Sequence, residues 1–93
     1  MGSPLNMAPE VLSGNKYNYK ADIWSVGICF YEMLFGDPPF KAHNLDELLK
    51  MIKMEGLRFP LNCEVSEHSK TVLFQMLEVD PSKRISWDEL FNH

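Results

Sequence analysis

A chain of 93 residues buries only roughly 60–65% of the surface that its unfolded form exposes, so it is one domain or part of one, with a thin stability margin. Hydrophobic residues at 45% and charged residues at 24% exclude disorder over most of the length. A net charge of −4, with Lys50, Lys53 and Arg58 spread among Glu47 and Glu55, excludes the basic stripe of a nucleic-acid binder.

The first predicted element is a short helix over 9–13. Pro9 suits its first turn, where a missing N–H costs nothing, and Ser13-Gly14-Asn15 ends it. A long helix is predicted over 20–35, apolar at nearly every position from Ala21 onward and stopped by Gly36-Asp37-Pro38-Pro39. Trp24, Ile28, Tyr31 and Phe35 share one face of it, and Ile23, Phe30 and Leu34 lie on another. A helix apolar on nearly all sides is normally buried on nearly all sides. Ninety-three residues do not cover it comfortably, which predicts part of a larger body and an exposed apolar face. Gly27 costs about 1 kcal/mol relative to alanine in mid-helix, which predicts another backbone packed closely against it.

Asn44-Leu45-Asp46-Glu47 is a capping-box pattern that opens a helix over 44–54, with Leu45, Leu48, Leu49 and Ile52 directed to the core. Leu57-Arg58-Phe59-Pro60 alternates, but four residues ending in proline read as an extended loop and not as a strand. Ser66 caps a helix over 66–77 in which Val72, Leu73, Met76 and Leu77 recur at helical spacing. Ser86-Trp87-Asp88-Glu89 repeats the capping-box pattern and starts a last helix over 86–92. The predicted fold class is all-α, with about five helices and no internal repeat.

Cys29 and Cys63 sit at no metal-ligand spacing, and His43, His68 and His93 are isolated from them and from each other. No metal site is predicted, and a reduced, intracellular, cytoplasmic setting fits best. No run approaches 18 apolar residues, so no membrane span is predicted. The six methionines and the pair Trp24 and Trp87 read as core filler.

Three strings carry more than structure: Met7-Ala8-Pro9-Glu10, Ala21-Asp22-Ile23-Trp24-Ser25-Val26-Gly27 and Asp80-Pro81-Ser82-Lys83-Arg84-Ile85-Ser86. In this order and at this spacing they resemble the C-terminal part of the large lobe of a eukaryotic protein kinase domain, and the resemblance covers nearly the whole chain. The Gly2-Ser3 start and the Asp22–Gly27 string resemble the serine/threonine class. The run from Gly2 to Glu10 is similar to that of kinases related to autophagy initiation.

The resemblance implies roles for individual residues. Ser3, Pro4, Leu5, Asn6 and Met7 would face protein substrate, although Ser3 is equally readable as an ordinary turn residue before Pro4. Asn6 stands where a large aromatic residue is usual. Glu32, in Tyr31-Glu32-Met33-Leu34, matches a position that binds an arginine before the phosphoacceptor in kinases preferring basic substrates, although a glutamate there is more often a routine helix residue. Glu10 and Arg84 would form a buried ion pair fastening the activation segment to the last helices. Asp22, with Trp24 and Gly27 in the same string, would anchor the catalytic loop by accepting its backbone amides.

No catalytic residue is expected in the chain. The loop over the nucleotide phosphates, the β3 lysine, the catalytic-loop aspartate and asparagine, and the metal-binding aspartate are not found in it. The resemblance therefore implies a serine/threonine protein kinase whose full-length parent uses ATP and Mg to phosphorylate protein substrates. This segment would hold no cofactor, be inactive alone, and pair with the missing N-terminal part of the kinase domain. Isolated, it is expected to self-associate. Neither nucleic acid nor membrane is an expected partner. The alternative is a non-catalytic, kinase-derived interaction module docking proteins through the helices that start at Asn44 and Ser66.

Overall fold

Four of the five helices begin where a side chain takes up an unpaired N–H of the first turn, and the short first one begins at a proline, which has no N–H to satisfy. A computed structural model describes residues 6–61 and 63–93. The expected substrate-facing residues Ser3, Pro4 and Leu5 lie outside the described residues. Among the described residues there are five helices and no strand: α1 (Pro9–Leu12), α2 (Tyr19–Phe35), α3 (Leu45–Met54), α4 (Glu67–Met76) and α5 (Trp87–Phe91). The fold is all-α.

Asn18, Asn44, Ser66 and Ser86 cap α2 to α5 by accepting backbone N–H groups. Only α5 carries the full reciprocal box, in which Glu89 also accepts the Ser86 N–H at 3.0 Å. At α3 the cap runs one way, from Glu47 N–H to Asn44 Oδ1 at 2.9 Å. Gly36 ends α2 with φ at +83°, and its N–H donates to Glu32 O at 2.8 Å. A side chain rarely tolerates that left-handed conformation, which is why a glycine stops this helix.

The core forms around α2. On one side Trp24, Ile28 and Tyr31 pack with Phe40, Leu48, Ile52, Leu73 and Leu77, so that α3 and α4 are joined through the central helix. On another side Ile23 packs with Met76 and Ile85, with Val72, Trp87 and Leu90 at the margin. Tyr31 Oη donates to Arg58 O at 2.7 Å, which fixes the extended Leu57–Phe59 stretch beneath α2 without any strand pairing.

Two sequence expectations are corrected in detail. Leu45 is exposed, because the apolar stripe of α3 runs through Leu48 and Ile52 with half-buried Met51 and Leu49 beside them. The close neighbour of Gly27 is not a backbone. A Cβ there would come within 3.0 Å of Met76 Cβ and of Leu77 Cδ2, so the glycine serves the side chains at the end of α4.

A third side of α2 is left bare. Val26, Cys29 and Met33 are exposed and Phe30 is half-buried, and these positions recur at the spacing of one helical stripe. Met33 has 84% of its surface in solvent, so this helix keeps an apolar face that the described residues do not cover.

Candidate functional site

Arg84 is the organising residue of the site, and a tight turn delivers it. Pro81 sets the turn, Asp80 Oδ1 accepts both the backbone N–H and the hydroxyl of Ser82, and Arg84 N–H closes back on Asp80 O at 3.1 Å. The Ser82 hydrogen bonds hold the Asp80 carboxyl below its ordinary value. From this turn the side chain enters the protein and is only 1% exposed.

A buried guanidinium must satisfy five N–H donors in a fixed planar fork. Here each has an acceptor. Nε donates to Glu78 O at 2.9 Å; Nη1 donates to Glu10 Oε2 at 2.8 Å and Lys20 O at 2.7 Å; Nη2 donates to Glu10 Oε1 at 2.8 Å and Val79 O at 3.3 Å. The two bonds to Glu10 form a bidentate ion pair joining positions 10 and 84. The guanidinium also lies 5.3 Å from the centre of the Trp24 ring, within cation–π range. Trp24 in turn stacks on Phe40 at 6.1 Å.

Burial pushes the Glu10 carboxyl up, but the Arg84 hydrogen bonds, its own backbone N–H and the Arg84 charge together hold it below its ordinary value of 4.5. The pair is therefore charged at neutral pH.

Sequence reasoning missed Lys20. Its Nζ donates to Pro81 O at 3.2 Å and to Arg84 O, while Arg84 donates to the Lys20 carbonyl. Each side chain thus grips the other's backbone. A signal was available: a lysine in the first turn of α2 sits at the wrong end of the helix dipole and needs another reason to be there.

The chain just before α1 crosses α2. Asn6 is half-buried, its carbonyl accepts the Ser25 hydroxyl at 2.8 Å, and its amide approaches Cys29 Sγ at 3.9 Å. Met7 is 42% exposed. Glu32 is exposed on α2, and among the described residues no hydrogen bond or ion pair joins it to Asn6 or Met7. Asp22 is exposed as well, but it is not without a partner, because the Tyr17 hydroxyl donates to its Oδ1. That bond is the main reason why the Tyr17 phenol is raised above its ordinary value. Trp24 and Gly27 point inward, to the clasp formed by Glu10 and Arg84 and to α4 respectively.

On the opposite flank of α2, Val26, Cys29, Phe30 and Met33 face Val72, Met76 and Leu90 across an open groove of about 410 Å³ with an apolar lining. Among the described residues no group of three or more His, Cys, Asp or Glu side chains is placed to hold a metal ion. No helix among them is long and apolar enough to cross a membrane.

Comparison with known proteins gives the same direction. A family described as "Protein kinase domain" matches residues 1–93. The chain is 50% identical over 94 residues to the serine/threonine-protein kinase ATG1 of Candida glabrata, covering 99% of this chain and 10% of that protein. It is 49% identical over 94 residues to the serine/threonine-protein kinase apg-1 of Neurospora crassa, again 99% of this chain and 10% of that protein. The serine/threonine-protein kinase atg1 of Dictyostelium discoideum is 41% identical over 92 residues, covering 99% of this chain and 14% of that protein. The chain thus spans about a tenth of the length of the curated relatives it matches.

Proposed function

Because the chain belongs to the protein kinase domain family, we propose that it works as the C-terminal part of the large lobe of a serine/threonine protein kinase. The longer protein transfers the γ-phosphate of ATP to protein serine or threonine, and this part binds substrate and braces the catalytic loop without catalysing alone. Phosphoryl transfer depends mainly on positioning and electrostatics. A rigid seat for the substrate is a full contribution to such a reaction.

The observation that carries the reading is the bidentate Glu10–Arg84 pair. It fixes Glu10, at the end of the segment in which Asn6 and Met7 are described, and in this reading Ser3, Pro4, Leu5, Asn6 and Met7 face the substrate. Glu32 supplies a carboxylate for an arginine preceding the phosphoacceptor. Asp22 presents a carboxylate to backbone amides of the catalytic loop, and Trp24 and Gly27 keep the helix beneath it seated on the clasp and on α4. The bare stripe Val26–Met33 docks the preceding part of the kinase domain. In this reading ATP and Mg belong to that preceding part, which in the family carries the loop over the nucleotide phosphates and the metal-binding aspartate.

The test compares two proteins with γ-labelled ATP, Mg²⁺ and casein: the 93-residue chain and the longer product of the same gene. Label should pass to serine and threonine only with the longer product. Transfer by the 93 residues alone would overturn the division of labour. A folded longer product that transfers nothing would favour the non-catalytic interaction module instead.

A further inference from the structure

We draw no further inference here: the strongest candidate, the apolar groove between α2, α4 and α5 lined by Val26, Cys29, Phe30, Met33, Val72 and Leu90, is an unpartnered face, and nothing in the structure shows what covers it beyond the docking already proposed.

Discussion

The two flanks of α2 obey opposite rules. On the Trp24 flank, Arg84 is buried with all five donors satisfied, and its partners come from Glu10, Lys20, Glu78 and Val79 of the same chain. On the Val26 flank, apolar side chains line a groove open to solvent. The first flank is complete within 93 residues. The second is left open by the described residues. One face carries the buried ion pair and the other the groove proposed for docking, so the two can be perturbed separately.

The largest expected effect comes from opening the closed flank. Arg84→Ala removes one partner of a buried pair and leaves the Glu10 carboxylate uncompensated, a change that typically costs about 3–5 kcal/mol. A domain of this length has a total stability of roughly 5–14 kcal/mol, so the urea midpoint should fall steeply or the cooperative transition should vanish. Arg84→Lys keeps the charge but offers three donors to five acceptors. It should recover less than half of the loss. A lysine variant as stable as the wild type would show that charge alone holds the clasp.

The same pair sets an acid dependence. Glu10 has a folded-state pKa below its unfolded value, so its contribution is fully present above the ordinary carboxylate range. It is lost as the pH falls through the depressed folded value. Urea midpoints measured from neutral to acid pH should therefore fall at the acid end. Glu10→Gln should lower the neutral-pH midpoint and flatten part of that fall. An unchanged slope would assign the acid sensitivity to other carboxylates.

Gly27→Ala comes next in size. Alanine gains about 1 kcal/mol of helix propensity, yet its Cβ would meet Met76 Cβ at 3.0 Å, and overpacking of a core typically costs about 1–3 kcal/mol. The clash is with a rigid Cβ as well as with a flexible leucine end, so net destabilisation is expected. Thermal unfolding would decide the sign. Ser86→Ala should follow at about 1 kcal/mol, the usual effect of losing an N-cap, and the loss should appear as fraying of α5 in amide exchange.

These predictions also mark where the sequence was legible. Gly36 and Ser86 could be read directly because their effects are local: one residue must adopt positive φ, and one hydroxyl must meet an N–H three residues on. Glu10 and Arg84 could be paired only through a resemblance, since no local rule joins positions 10 and 84. The remaining acceptors of Arg84 are backbone carbonyls at Lys20, Glu78 and Val79, and side-chain chemistry does not announce a carbonyl. Leu45 was misread because periodicity gives the direction of a stripe but not where its buried width ends. Asp22 was expected to accept backbone amides of a catalytic loop, and the hydroxyl that meets it here comes from Tyr17, just outside the helix and beyond the reach of a helical pattern.

The smallest effect on stability should be the most informative about the open flank. Met33 is 84% exposed, so Met33→Lys removes little burial and should change the unfolding free energy of the 93 residues by within about 0.5 kcal/mol, as for surface substitutions generally. Its effect should lie in association. An apolar groove open to water favours any contact that covers it, so the wild-type chain should elute above its 10.8 kDa mass and bind a hydrophobic dye. The lysine variant should shift toward the monomer with weaker dye binding. In the longer protein the ranking should reverse: a charge on a docking face would be buried without a partner, so Met33→Lys should damage activity far more than it damages the isolated chain. If it leaves both association and the longer protein's activity untouched, the open flank is merely exposed, and the closed and open sides of α2 do not divide stability from docking.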